Sequence, residues 1–132
     1  MVKRIYAHRG LNRNKENTLT SIITVNNIKY DGIDIGVEFD VQLTKDNQIV
    51  CYHDKTMERI HGLNHIITEV DYDVIKNHVP LLSTVLEQLT IKPYLVNIEI
   101  KSYDMSYEHM NIFTDLLLDY KQYLFTSFDH NV

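Results

Sequence analysis

The sequence predicts an α/β protein built on a parallel sheet, and three observations carry that prediction. Short β-branched runs at Ile5–His8, around Glu38, at Tyr94–Lys101 and at Tyr123–Phe128 are separated by helix-length segments, and crossovers of that length join parallel strands. His8, Arg9, Glu38, Asp40, Glu99, Lys101 and Asp129 all fall at the C-terminal ends of those runs, where α/β folds collect their chemistry. The stretch Ile33–Leu43 is too apolar for an exposed edge, yet it carries two acids.

Ile5–His8 reads as a first strand that delivers His8 and Arg9 to its end. LNRNKEN has loop composition, and Asn17 or Thr18 can cap a helix predicted over about Thr18–Tyr30 from the spacing of Leu19, Ile22 and Ile23. Asp31-Gly32 stops it. A hairpin follows over Ile35–Asp54, with Asp46-Asn47 at the turn where a left-handed backbone is wanted. On its first strand, alternation turns Glu38 and Asp40 to the same side, and its return strand leads to His53 and Asp54. The signal then weakens, with a short helix predicted at Tyr72–Asn77 and another after Pro80 and Ser83 whose apolar face is Val85, Leu86 and Leu89. In Tyr94–Lys101, Asn97, Glu99 and Lys101 share one strand face against Val96, Ile98 and Ile100. Glu108–Tyr120 is amphipathic through Ile112, Phe113, Leu116 and Leu117, and a last strand is predicted over Tyr123–Phe128.

At 132 residues the chain has the length of one domain, and 44% apolar with 23% charged residues is an ordinary globular composition. The net charge of −5, with no stripe of Lys or Arg, disfavours nucleic acid as a partner. The single cysteine, Cys51, rules out an internal disulfide and reads as a small strand residue rather than a nucleophile. MVKRIYAHRG passes from Met into a strand with no apolar leader, and no stretch is long enough to span a bilayer, so the expected address is the cytoplasm.

Glu38, Asp40 and Glu99 are hard oxygen donors of the kind that suit Mg²⁺ or Ca²⁺. Such an ion polarises a phosphoryl oxygen, Arg9 and Lys101 add positive charge against the remaining oxygens, and His8 and His53 can take and give a proton. Blander readings exist for each group. Acids two apart on a strand are commonly a solvated face, His8 alone could be a structural histidine, and Glu99 with Lys101 could be an exposed pair. His61, His65, His78, His109 and His130 read as surface or structural. HGLNH places two histidines four apart but lacks the helix and third ligand of a zinc site.

Seven motifs in order resemble the glycerophosphodiester phosphodiesterase family over essentially the whole chain. They are His8-Arg9-Gly10, Glu16-Asn17-Thr18-Leu19, Glu38-Phe39-Asp40-Val41 with Thr44-Lys45-Asp46, His53-Asp54 followed by Arg59, Pro80-Leu81-Leu82, Asn97–Lys101 and Ser127-Phe128-Asp129. Lys15 replaces a usual proline and Asn47 a usual glycine. The resemblance implies a TIM barrel and divalent-metal-dependent hydrolysis of a small glycerophosphodiester to glycerol 3-phosphate and an alcohol. It implies His8 and His53 as the acid-base pair, Glu38, Asp40 and Glu99 as metal ligands, and Arg9 and Lys101 as phosphate contacts. The attacking group would be a glycerol hydroxyl or water, and the related sphingomyelinase D type of phospholipase leaves a lysophospholipid substrate open.

A (β/α)₈ barrel takes about 250 residues, so residues 1–132 are expected to be a partial domain: about four barrel strands with a hairpin and inserted helices. Its open edges could be closed by further sequence of a longer protein or by a homodimer that completes the barrel. A shortened pseudo-enzyme that binds a phosphodiester or a protein without turnover is the third expectation.

Overall fold

A parallel sheet in the order β1-β2-β4-β5 organises the molecule, which is seen here as a computed structural model describing residues 2–127. β1 (Lys3–His8) lies beside β2 (Ile33–Leu43) with His8 opposite Glu38. On the other side of β2 runs β4 (Val96–Ile100), with Asp40 opposite Glu99, and β5 (Leu124–Thr126) pairs with β4. β3 (Ile49–Cys51) returns antiparallel along Val41–Leu43, after a turn in which Asn47 takes the left-handed backbone expected there (φ 60°). Partners in a parallel pair point to the same face, so these registers gather His8, Glu38, Asp40 and Glu99 on one side.

The opposite face is the core. Val37, Phe39, Val41, Val96, Ile98 and Ile100 pack beneath α1 (Leu19–Ile23), α4 (Leu82–Gln88) and α5 (Tyr107–Leu117), which contribute Ile22, Val85, Leu86, Phe113 and Leu117. Cys51 is buried in the same cluster. A smaller second core of Val50, Tyr52, Met57, Ile67, Ile75 and Val79 forms between β3 and α4, around α2 (Glu58–His61) and α3 (Tyr72–Ile75). His61 is structural there: its Nδ1 meets the Tyr52 hydroxyl at 3.1 Å and its ring lies against His78, and burial followed by that neighbour lowers its pKa.

The first helix is shorter than its spacing predicts. α1 ends at Ile23 and a 3₁₀ turn, Thr24–Asn27, replaces the rest. Ile22, Ile23, Thr24 and Val25 are β-branched and poor at propagating a helix, and the Asn26 amide bonds the Gln88 carbonyl and the Thr90 N–H instead. Tyr94 and Leu95 likewise leave the predicted strand for a 3₁₀ turn, Pro93–Leu95. Phe128, Asp129 and His130 lie outside the described residues.

Among the described residues the order β1-β2-β4-β5 ends in β1 and β5, and Ile5 and Leu124 on them are 54% and 47% exposed. Among the described residues no helix is long and apolar enough to cross a membrane.

A candidate carboxylate–histidine active site

The tight loop after β1 begins the site. Arg9 (φ 55°) and Gly10 (φ 91°) turn the chain through left-handed conformations, so that the Arg9 N–H reaches Glu38 Oε2 at 3.1 Å. A Cβ on Gly10 would stand 2.7 Å from the Ser21 carbonyl carbon and 2.8 Å from its oxygen, at a φ that side chains disfavour. Gly10→Ala is expected to destabilise the fold by about 2 kcal/mol or more, read as a lowered urea midpoint; a midpoint like that of the native chain would show that the loop can shift.

Asn17 does not cap α1, a role that Thr18 takes by accepting from the Ser21 N–H. Instead, buried and left-handed (φ 56°), Asn17 clamps Asp40: its Nδ2 donates to Asp40 Oδ2 at 3.0 Å, and its Oδ1 accepts from the Asp40 N–H at 3.1 Å. With Oδ2 so engaged, Asp40 Oδ1 is left buried without a hydrogen-bond partner among the described residues, and Glu38 Oε1 is in the same condition. Glu38, Asp40 and Glu99 each bring one oxygen to within 4.8 Å of the others'. Orphaned buried oxygens are costly unless something positive fills the space between them. Three hard, converging carboxylate donors fit Mg²⁺ or Ca²⁺.

Repulsion and burial show in the titration of the trio. Burial and then the neighbouring Asp40 charge push Glu38 up to about 7. Burial also raises Asp40, against the Asn17 hydrogen bond. Burial pushes Glu99 the same way, but its contacts with Asp40 and with the Lys101 ammonium outweigh it and leave Glu99 lowered. Lys101 Nζ donates to Glu99 Oε1 at 3.1 Å, in a pair that is mostly buried rather than solvated. Glu38's raised value means that the folded state keeps a proton which the unfolded chain gives up above about 4.5. The stability this proton supplies is full below about 4.5 and is lost as the pH rises through about 7. Urea midpoints measured without divalent cation are expected to fall across that interval in the native chain and to change less in Glu38→Gln.

Two histidines flank the carboxylates. His8 Nε2 is 3.7 Å from Glu38 Oε2 on an exposed side chain, while His53 is more enclosed, with Nδ1 2.7 Å from Asp54 Oδ1. The loop bearing His53 is fixed by three successive carbonyls: Gln42 Nε2 donates to those of Tyr52 (2.9 Å) and Asp54 (2.7 Å), and the Tyr103 hydroxyl donates to that of His53 (2.7 Å). Arg59 grips both Asp54 oxygens, at 2.7 and 2.9 Å, which with the His53 contact holds that carboxyl down at about 2 against its partial burial. Arg9 is tied in by Nη1 to Glu16 Oε2 at 3.1 Å, and its Nε lies 3.7 Å from Asp40 Oδ2.

The structure therefore brings together His8, Arg9, Glu38, Asp40, Glu99 and Lys101, with Asp54 bonded to His53 beside them, and leaves His61, His65, His78 and His109 out of the constellation. Asp129 lies outside the described residues. Asn17, Gln42 and Tyr103 escaped a reading by spacing because each acts across the fold, 23, 10 and 50 residues from its partner.

Comparison with known proteins gives one consistent answer. Residues 8–131 match the glycerophosphoryl diester phosphodiesterase family. The chain is 35% identical over 122 residues to the protein YqiK of Bacillus subtilis, covering 81% of this chain and 49% of that protein. It is 33% identical over 115 residues to a glycerophosphodiester phosphodiesterase of Bacillus altitudinis, covering 75% and 45% respectively. The crystal structure of a glycerophosphodiester phosphodiesterase from Thermotoga maritima superposes with a TM-score of 0.72 at 27% identity, over 98% of this chain and 55% of that one. The sheet described above is thus part of a TIM barrel, and the chain spans about half the length of the relatives it matches.

Proposed function

The chain belongs to the glycerophosphoryl diester phosphodiesterase family, and from that premise we propose that residues 1–132 form the part of such a domain that carries the reacting groups. The reaction is cleavage of a glycerophosphodiester to glycerol 3-phosphate and an alcohol. The observation that supports this most strongly is the convergence of Glu38, Asp40 and Glu99, two of them with an orphaned buried oxygen, on a sheet face that also carries His8. Held by these three carboxylates, Mg²⁺ or Ca²⁺ would supply Lewis-acid polarisation of a phosphoryl oxygen.

The remaining work falls to side chains. One of His8 and His53 takes the proton of the attacking hydroxyl, whether of glycerol or of water, and the other returns a proton to the departing alcohol oxygen. His53, with Nδ1 committed to Asp54, exchanges its proton at Nε2. Arg9 and Lys101 lie against Asp40 and Glu99, where they balance the charge that phosphate brings. Among the described residues the sheet ends in β1 on one side and β5 on the other, so a complete substrate pocket, and with it turnover, depends on strands that close the sheet, from further sequence or from a second copy. Light scattering separates these, since a closed pair has twice the mass of the chain.

The test is release of glycerol 3-phosphate from glycerophosphocholine. The expected result is turnover that a chelator stops and His8→Ala removes. Cation and substrate binding without turnover in any assembly state would instead favour a pseudo-enzyme.

A further inference from the structure

We propose that Arg59 and Glu16 are positioning residues, which lock His53 and Arg9 in place through one chain of alternating charge; the inference rests on the phosphodiesterase reading above. The chain starts at His53 Nδ1, 2.7 Å from Asp54 Oδ1. Arg59 Nε and Nη2 fork onto the two Asp54 oxygens at 2.7 and 2.9 Å, and Arg59 Nη1 donates to Glu16 Oε1 at 2.6 Å. The other Glu16 oxygen accepts from Arg9 Nη1 at 3.1 Å, and Arg9 Nε faces Asp40 Oδ2 at 3.7 Å. His53, Asp54, Arg59, Glu16, Arg9 and Asp40 thus form a string that begins at one proposed acid-base group and ends at a proposed metal ligand.

A two-pronged fork does what a single ion pair does not. With both oxygens taken by a planar guanidinium, the Asp54 carboxylate cannot rotate about its last bond. An ionised carboxylate only accepts, so the neutral imidazole must carry its proton on Nδ1 and keep Nε2 as the proton-exchanging atom. At the far end Glu16 shares its two oxygens between two arginines and holds Arg9 by one nitrogen of its guanidinium, which leaves Nη2 to meet phosphate. Arg59 belongs to α2, in the segment between β3 and α4 that packs a small core of its own. Presenting Arg59 gives that segment a part in the reaction. Arg59 is 51% exposed, and without it Asp54 keeps its contact with His53 and Glu16 its contact with Arg9, so the urea midpoint of each variant is measured beside its activity to separate a loosened fold from a loosened site.

The variants are Arg59→Ala, Arg59→Lys and Glu16→Gln, compared with the native chain by side-chain ¹⁵N NMR of His53 and by kinetics on glycerophosphocholine. The native chain is expected to show a single Nδ1–H tautomer of neutral His53. Arg59→Ala is expected to give a mixture of tautomers and a kcat lower by roughly 10- to 100-fold, the usual scale for a lost supporting group, with KM little changed. Added guanidinium ion restores part of that loss. Arg59→Lys keeps the charge but not the fork and falls between the two, and Glu16→Gln raises KM more than it lowers kcat, since it loosens Arg9. An unchanged tautomer in both Arg59 variants overturns the proposal, as does a native chain in which neutral His53 is already mixed. Absence of turnover in the native chain counts against the phosphodiesterase reading alone, and the tautomer then decides this one.

Discussion

Asp40→Asn is expected to abolish stabilisation by divalent cations and to lower phosphodiester turnover on the order of 1,000-fold or more, the scale of several kcal/mol of lost charge stabilisation. The same substitution leaves the cation-free fold as stable as before or more so. Asp40 is fully buried, and its raised pKa shows that burial penalises its charge; a neutral amide of the same shape avoids that penalty. The amide can still accept from Asn17 Nδ2, and its backbone N–H still donates to Asn17 Oδ1. A ligand that binds only the native state at 100 times its dissociation constant adds about 2.7 kcal/mol, so thermal melts with and without Ca²⁺ or Mg²⁺ separate the two chains clearly. An Asp40→Asn protein that keeps the upward shift would show that the ion sits elsewhere.

His53→Ala is expected to cost roughly 10²- to 10⁴-fold in kcat, the ordinary contribution of one acid-base group, with the cation-induced shift in melting unchanged. Among the described residues the His53 imidazole bonds Asp54 and none of the three carboxylates, and its loop stays in place because Gln42, Tyr103 and Arg59 hold carbonyls and Asp54 rather than the imidazole. One limb of a bell-shaped pH–rate profile should vanish. Equal loss of cation binding in His53→Ala would mean that the histidine works as a ligand instead.

Much of this arrangement is written locally in the chain. Alternation alone sets Glu38 and Asp40 on one face, and the apolar character of Ile33–Leu43 is realised as a central strand between β1 and β4. The spacing of Asn97, Glu99 and Lys101 likewise foretells a polar face, and Asn47 sits left-handed at the turn as its chemistry asks. What is not legible depends on distant partners. Asn17 looks like a helix cap until β2 is brought beside it. Gln42 is an uncharged residue in an apolar strand, and only the return of the chain after β3 gives it two carbonyls to hold. Nor does anything near Glu16 in the sequence announce two arginines, one seven and one 43 residues away. The helix after Thr18 is shorter than its spacing predicts for the converse reason: hydrophobic spacing continues past Ile23, but Asn26 is drawn off to the backbone beyond α4.

Whether Glu38, Asp40 and Glu99 hold one divalent cation is decided by calorimetric titration of the cation-free chain with Ca²⁺ and Mg²⁺. Performed near pH 7 in buffers of different ionisation enthalpy, it should show saturable binding of one ion per chain with release of protons. Glu38 has a pKa of about 7 and must give up its proton to bind. Binding should be absent in Asp40→Asn. No saturable heat with either ion, or the same isotherm in the variant, would mean that these three carboxylates hold no cation.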